Sequence, residues 1–229
     1  MKLSIFACLL LIIPVQAHSR DILSQDILAI DGDSMVDSVG LSPKQTLPSD
    51  IKRLLGGKWT VTDQSVGGAT ITGSNSVTSR AGRVNAHFSS KNRRNELLIW
   101  IGTNDGCNEG DDAATAATEA QTYLTSMLAV GWKITWLAML PRNEAFCSKN
   151  NPPWATFRTD YNFAMWTWTQ AHGVRYLDPV QDDHALGDAT DLTYYQADGI
   201  HPTALTESII AQQVVNLIGN QQAANVAGN

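Results

Sequence analysis

The sequence predicts an α/β fold, a three-layer α/β/α sandwich around a doubly wound and mainly parallel sheet of five strands. Short apolar segments, typical of buried strands, alternate along the chain with longer segments whose apolar residues recur at helical spacing. Polar motifs follow directly after several of these strands, as they do at the carboxyl edge of an open parallel sheet. No internal repeat or linker divides the chain, so we expect one domain.

The strands and helices are predicted from the spacing of apolar residues. Strands are expected over residues 27–31, 59–62, 96–101, 133–140 and 174–177. Helices are expected over residues 44–55, 80–88, 113–130, 157–171 and 202–219. Pro202 suits the first position of the last helix and Gly219 its end. The segment 178–196 is polar and is expected to be irregular.

The N-terminal segment has the pattern of a secretory signal peptide. Lys2 supplies a positive charge, residues 3–13 form an apolar core, and small residues precede a cleavage site near Ala17. The apolar core is too short to span a bilayer stably, so we expect secretion to an extracellular or periplasmic location, with a retained membrane anchor as the alternative. The sequence thus divides into a signal peptide over residues 1–17, a folded domain over 18–220 and a disordered tail over 221–229.

Composition restricts the partners of the mature chain. The formal net charge is −6, and it becomes −7 when Lys2 is removed, because the signal peptide contains no acidic residue. An acidic chain without a cluster of lysines and arginines is a poor partner for nucleic acid or for an anionic membrane surface. We therefore expect neither partner, and we expect a monomer.

Two cysteines remain after removal of the signal peptide, Cys107 and Cys147. In an exported protein two cysteines usually form a disulfide. Two free thiols are the alternative.

The segment 27–37 places a serine at the end of a predicted buried strand. The apolar run ends abruptly in Gly-Asp-Ser, and Ser34 lies where the chain would turn into a helix. A serine at the carboxyl edge of the sheet can act as a nucleophile if the chain also supplies a base and donors for an oxyanion. The remaining motifs are candidates for those groups.

Four short motifs together resemble those of the SGNH (GDSL-type) hydrolases. They are Gly-Asp-Ser with Ser34, Gly-Gly-Ala-Thr with Gly68, Gly-Thr-Asn-Asp with Asn104, and Asp-x-x-His with Asp198 and His201. They occur in that family's order and cover nearly all of the mature sequence. The resemblance implies a serine esterase on a flavodoxin-like sheet, for which the strand order 2-1-3-4-5 is expected.

The resemblance also implies a role for each residue. Ser34 would be the nucleophile, His201 the general base, and Asp198 the carboxylate that orients the imidazole. The oxyanion would be bound by the backbone N–H groups of Ser34 and Gly68 and by the side-chain amide of Asn104. No metal ion or organic cofactor is expected in this reaction. Substrates would be esters of small molecules or polysaccharides, with short acyl groups such as acetyl favoured by the polar segment 178–196.

Departures from the family pattern lie beside the catalytic motifs. The segment before Gly68 reads Asp63-Gln64-Ser65 instead of carrying an asparagine, and Ser34 is followed by Met-Val-Asp. Neither departure changes a residue with a catalytic role, so both leave the subclass open. Asp33 and Asp105 are interpreted as structural residues around the site.

Two other function classes remain open from the sequence alone. Asp31-Gly32-Asp33 resembles the nucleophile motif of haloacid-dehalogenase-type phosphatases, in which case Asp31 would attack phosphate and Asp188 and Asp191 would help to hold Mg²⁺. Alternatively, the same fold could bind a glycan without turnover. That second alternative would use tryptophans for sugar stacking, with Trp154, Trp166 and Trp168 as candidates.

Overall fold

A parallel five-stranded sheet forms the centre of the molecule. The computed structural model describes residues 25–149 and 153–226, with side chains described as far as Gly219. The strands are β1 (Asp26–Gly32), β2 (Trp59–Asp63), β3 (Arg94–Trp100), β4 (Lys133–Leu137) and β5 (Arg175–Leu177). Their order is β2-β1-β3-β4-β5 and every pairing is parallel. The α/β fold, the strand order and the five strands predicted from the sequence are confirmed.

Helices cover both faces of the sheet. They are α1 (Ser34–Asp37), α2 (Leu47–Leu55), α3 (Val77–Asn85), α4 (Ala113–Val130), α5 (Trp154–His172), α6 (Pro179–Asp182) and α7 (Ala204–Val226). Residues of α3, α4 and α5 form the core on one face, and residues of α1, α2 and α7 form the core on the other. Strand β1 supplies Ala29 to the first core and Leu28 and Ile30 to the second. A continuous apolar strand is expected at this central position because both of its faces are buried.

Helix α3 begins and ends three residues earlier than the spacing of apolar residues predicted. Ser76 and Ser79 explain the start, because each side chain accepts a hydrogen bond from the other's backbone N–H (3.0 and 3.2 Å). This capping box satisfies N–H groups that the first helical turn leaves unpaired. Helix α5 likewise starts earlier than predicted, at Trp154.

The last helix differs from its prediction at both ends. Pro202 is not its first residue, because Pro202 pairs with Tyr195 in an isolated β-bridge and the helix begins at Ala204. Gly219 does not end it, since α7 continues to Val226 through residues that were expected to be disordered. Glutamine and alanine, which are frequent beyond Gly219, favour helix, and this outweighs one glycine. The expected signal peptide and residues 227–229 lie outside the described residues, so the domain limits at 18 and 220 stay predictions.

The segment 178–196 contains more structure than its polarity predicted. It forms α6 and a 3₁₀ turn over His184–Gly187. Aspartates begin both, since Asp178 and Asp183 accept hydrogen bonds from backbone N–H groups two residues later. In the ranges that the structure describes, no helix is long and apolar enough to cross a membrane.

Candidate active site

The end of β1 places Ser34 at the carboxyl edge of the sheet. A Cβ on Gly32 would lie 2.2 Å from the carbonyl oxygen of Trp100, so only glycine allows β1 and β3 to approach this closely. Asp33 then caps α1, because its side chain accepts a hydrogen bond from the N–H of Met35 (2.9 Å). Ser34 is the first residue of α1 and is nearly buried. The two residues that precede Ser34, Gly32 and Asp33, therefore shape the turn from β1 into α1.

The loop before α7 brings His201 to Ser34. The Nε2 atom of His201 lies 3.0 Å from the Oγ atom of Ser34, and its Nδ1 atom lies 2.6 Å from Oδ2 of Asp198. The other oxygen of Asp198 accepts hydrogen bonds from the backbone N–H groups of Ile200 (2.9 Å) and His201 (3.0 Å). The tight turn uses Gly199 at a φ of 62°, a left-handed conformation that favours glycine. The three side chains thus form one continuous chain of contacts.

The environment of Asp198 favours its ionised form. Partial burial raises the pKa of this carboxyl, but the hydrogen bonds from the imidazole and from two backbone N–H groups outweigh burial and hold the pKa below its ordinary value. Asp198 is therefore a carboxylate at neutral pH. A carboxylate beside Nδ1 favours the tautomer that leaves Nε2 free to accept a proton.

The candidate oxyanion donors lie on the loops after β2 and β3. The amide nitrogen of Asn104 donates one hydrogen to the carbonyl oxygen of Ala69 (2.8 Å), and its oxygen accepts from the side chain of Asn108 (2.8 Å). Its second amide hydrogen has no recorded acceptor among the described residues. In the same ranges, the backbone N–H groups of Ser34 and Gly68 also have no hydrogen-bond partner. These are the three donors that the sequence predicted.

The family model for GDSL-like lipases/acylhydrolases matches residues 32–207, which hold all four motifs. The chain belongs to this family. As a GDSL family member it is a carboxylic ester hydrolase.

Solved structures with the same fold include several esterases. The crystal structure of TesA has 20% sequence identity to this chain and a TM-score of 0.65, over 82% of this chain and 96% of that chain. Est24, a carbohydrate acetylesterase from Sinorhizobium meliloti, has 13% identity and a TM-score of 0.68, over 86% of this chain and 100% of that one. The psychrotrophic esterase EstA from Pseudoalteromonas sp. has 14% identity and a TM-score of 0.66, over 87% and 100% of the two chains. No curated protein sequence is significantly similar to the chain.

Membership of the GDSL family excludes the phosphatase interpretation, and the structure gives the physical reason. Asp31 is fully buried and binds Arg80, whose Nη2 lies 2.7 Å from Oδ1, so this aspartate cannot be a free nucleophile. Asp188 and Asp191 do not form a metal-binding group among the described residues. Each side chain instead accepts a hydrogen bond from the backbone N–H group two residues later in the chain.

The sequence did not predict one further residue at this GDSL site, Arg142. It follows β4, is nearly buried, and its guanidinium lies over the ring of Trp154 at 5.5 Å. Burial lowers the pKa of its guanidinium, and the negative charges of Asp33 and Asp198 oppose that shift. Burial raises the pKa of Asp33 to about 7, and Arg142 opposes that shift. The signal that would have revealed Arg142 is its position in the loop after a strand, which it shares with the motifs of Ser34, Gly68 and Asn104.

The two cysteines of the mature chain are joined beside the GDSL site. Cys107 and Cys147 form a disulfide with 4.7 Å between their Cα atoms. Cys107 lies in the turn after β3 and Cys147 in the loop after β4, and these strands are neighbours in the sheet. The bond therefore connects two loops at the carboxyl edge of the sheet, and the predicted disulfide is confirmed.

The tryptophans considered for sugar stacking lie in different environments. Trp154 is buried against Phe157, whereas the ring of Trp168 stacks on His172 with 4.1 Å between the centroids. Trp166 is 46% exposed and lies beside the exposed ring of Phe163. Of the three, only Trp166 therefore presents a ring to a ligand.

Proposed function

We propose that this GDSL hydrolase is a secreted serine esterase that acts through an acyl-Ser34 intermediate. The observation that carries the proposal is the distance of 3.0 Å between Ser34 Oγ and His201 Nε2. Membership of the GDSL family supports it. Asp198 completes the triad, and Ser34, Gly68 and Asn104 supply the oxyanion donors. The triad and the oxyanion hole are proposals supported by this geometry.

In the first half of the reaction, Ser34 Oγ attacks the carbonyl carbon of the ester. His201 Nε2 accepts the hydroxyl proton, and Asp198 stabilises the imidazolium that forms. The carbonyl oxygen becomes an oxyanion, which accepts hydrogen bonds from the three donors. When the tetrahedral intermediate collapses, the bond to the alcohol oxygen breaks and His201 returns the proton to the departing alkoxide.

In the second half, water replaces the alcohol. His201 takes a proton from the water as its oxygen attacks the acyl carbon, and the same donors bind the second oxyanion. Collapse of this intermediate breaks the bond to Ser34 Oγ, which recovers its proton from His201. The products are a carboxylic acid and the free enzyme.

We propose short-chain acyl esters as substrates, with acetyl esters of carbohydrate as the first class to test. The chain shares its fold with Est24, a carbohydrate acetylesterase. A cavity of about 460 Å³ combines the exposed rings of Phe163 and Trp166 with the hydrogen-bonding side chains of Arg158 and Gln181. None of its lining residues belongs to the triad or the oxyanion hole, so we propose it as a carbohydrate contact apart from the reacting ester. Aromatic faces beside polar groups are suited to the alternating apolar and hydroxyl surfaces of a sugar.

Secretion is part of the proposal. It rests on the signal-peptide pattern of residues 1–17 and agrees with the disulfide between Cys107 and Cys147, since disulfides persist in oxidising compartments. The alternative of a glycan-binding module without turnover is less well supported, because a binding function does not require a serine hydroxyl in contact with an imidazole.

Labelling with a fluorophosphonate probe tests the proposal directly. The secreted protein, its Ser34→Ala variant and a Ser42→Ala control are compared in the presence of EDTA; Ser42 is an exposed serine whose hydroxyl donates to the side chain of Gln45 (2.6 Å). We expect labelling of the parent and of Ser42→Ala, and none of Ser34→Ala. Absence of labelling in all three proteins would contradict an activated Ser34 and favour the binding module.

A further inference from the structure

Three carboxylates converge beside the proposed oxyanion hole. One oxygen of each of Asp105, Asp111 and Glu119 lies within 4.8 Å of an oxygen of each of the others. A Ca²⁺ ion holds its oxygen ligands at 2.3–2.6 Å, so oxygens on opposite sides of the ion are about 5 Å apart. The three oxygens are therefore close enough to ligate one such ion together.

The local backbone is folded so that the two aspartates face each other. A five-residue π-helical turn over Asp105–Glu109 is closed by Gly110, which has a φ of 77°. The N–H of Asp111 then donates to the carbonyl oxygen of Asp105 (3.0 Å). Glu119 comes from α4, and the hydroxyl of Thr72 donates to its Oε2 atom (3.0 Å). Each carboxylate is thus positioned by a separate element.

The burial and partners of Asp105 give a second indication of a cation site. The residue is only 1% exposed, and although its Oδ1 accepts from the N–H of Ile71 (2.9 Å), its buried Oδ2 has no hydrogen-bond partner among the described residues. Burial, with a smaller contribution from the charges of Asp111 and Glu119, raises the pKa of this carboxyl to about 7. Buried carboxylates of this kind are normally paired or bound to a metal.

The surrounding cavity supplies oxygen atoms and no positive side chain. It has a volume of about 410 Å³, and none of the residues that line it in the described part of the chain is basic. Lys149 lies at its margin, but its ammonium donates to the carbonyl oxygen of Glu109 (2.9 Å). The lining residues are Gly68, Thr70, Thr72, Gly73, Ser74, Asn75, Asp105, Glu109, Asp111 and Glu119.

We propose that Asp105, Asp111 and Glu119 bind a structural Ca²⁺ ion. Hard oxygen ligands favour Ca²⁺ or Mg²⁺, and three unevenly spaced carboxylates in a roomy cavity fit the flexible coordination of Ca²⁺ better than the strict octahedron of Mg²⁺. Water fills the remaining coordination positions. The ion takes no part in acyl transfer.

The site has a consequence for the neighbouring donors. Asp105 follows Asn104 directly, and through Ile71 it holds the loop that carries Gly68. A cation on Asp105 therefore stiffens the two loops that supply the proposed oxyanion donors. Asp105, Asp111 and Glu119 therefore position the oxyanion donors and do not contact the substrate.

Calcium binding is measured on the full secreted protein after treatment with EDTA and removal of the chelator. Isothermal titration with CaCl₂ should give one site with a dissociation constant of about 0.1–1 mM, the range of extracellular calcium modules. The melting temperature should rise by about 5 °C at 10 mM CaCl₂. No binding heat together with no thermal shift would overturn the proposal, and an equal shift with MgCl₂ would overturn the choice of metal.

Three variants test the ligands. Glu119→Gln and Asp111→Asn should each weaken calcium binding at least tenfold and abolish the thermal shift. Asp112→Asn is the matched control, since Asp112 neighbours the site but serves as the N-cap of α4, a role asparagine fills equally well. An equal loss of calcium affinity in Asp112→Asn would mean that the general negative charge of this region attracts the ion, and that Asp105, Asp111 and Glu119 do not form a specific site. Fluorophosphonate labelling of Ser34 is measured both in EDTA and in CaCl₂; absence of labelling under both conditions reports failure of the proposed esterase, whereas failure of the calcium site is reported by the titration and the thermal shift.

Discussion

The side-chain amide of Asn104 donates a hydrogen bond to the carbonyl oxygen of Ala69, with 2.8 Å between the two atoms. Ala69 follows Gly68, so this bond fixes one proposed oxyanion donor relative to another. It occupies one of the two amide hydrogens and leaves the other available to a substrate. The oxygen of the same amide is held by Asn108, which fixes the orientation of the group.

The Asn104→Ala variant should therefore lose a donor that acts in the transition state. We expect kcat to fall by about 100- to 1,000-fold with a small change in KM, as measured with p-nitrophenyl acetate. Asn108→Ala should cause a smaller loss, because it only loosens the Asn104 amide. An Asn104→Ala enzyme with parental kcat would remove Asn104 from the oxyanion hole.

Asp198→Asn tests the orientation of His201. Asparagine keeps an oxygen that accepts the backbone N–H groups of Ile200 and His201, so the turn should persist, but the carboxylate beside Nδ1 is lost. We expect kcat to fall by about 10,000-fold, in line with the same change in other triads. An Asp198→Asn enzyme with the parental kcat would contradict the role of Asp198 in orienting His201.

Glu207 should make the stability of the protein depend on pH. Its side chain is fully buried in α7, one oxygen lies 3.0 Å from the hydroxyl of Ser38, and the other has no hydrogen-bond partner among the described residues. Burial raises its pKa well above the ordinary value, and the charge of Asp50 adds to the shift. The folded state therefore keeps a proton that the unfolded state releases above its ordinary pKa of about 4.3.

With the pKa raised in the folded state, this contribution to stability is fully present below about pH 4 and declines as the pH rises towards the folded-state pKa. Glu207→Gln keeps the shape and does not titrate, so its free energy of unfolding in urea should fall less than that of the parent between pH 4 and 8. Other buried acids with a raised pKa, such as Asp31 and Asp33, are common to both proteins. Parallel pH profiles would show that Glu207 does not carry a proton in the folded state.

Reduction of the disulfide should destabilise the protein. The bond joins residues that are 40 positions apart, and closing a loop of that length contributes about 3–4 kcal/mol in the chain-entropy model. We expect dithiothreitol to lower the melting temperature by about 5–10 °C. A Cys107→Ser/Cys147→Ser double variant should show the lower value with and without reductant; an unchanged parental value would mean that the bond does not stabilise the fold.

Trp166→Ala tests the proposed sugar contact separately from the chemistry. We expect kcat/KM on an acetylated polysaccharide to fall by about tenfold, since a lost stacking contact of about 1.4 kcal/mol corresponds to that factor. Activity on p-nitrophenyl acetate should not change. Leu205→Ala, which removes another exposed apolar side chain, is the control. Equal loss on both substrates would mean that Trp166 affects the fold rather than carbohydrate binding.

Much of this molecule could be predicted from local patterns. Apolar runs located all five strands, and the residues after them located the parts of the proposed site, because parallel strands bring their carboxyl ends to one edge. Boundaries were less predictable. Ser76 and Ser79 set the start of α3, and Pro202 was taken into a bridge with Tyr195, so local hydrogen bonds outweighed the apolar spacing at both positions.

The sequence by itself determined the elements, their alternation and the order of the four motifs, since these depend on side chains close together along the chain. Only the tertiary structure decided which distant side chains meet. It placed Arg142 near Asp198, Glu207 against Ser38, and Glu119 beside Asp105, none of which has a signature in sequence spacing. The physical reason is that such contacts depend on the paths of the crossover connections and loops between the strands. The pKa of a buried acid likewise depends on neighbours that only the packed chain brings together.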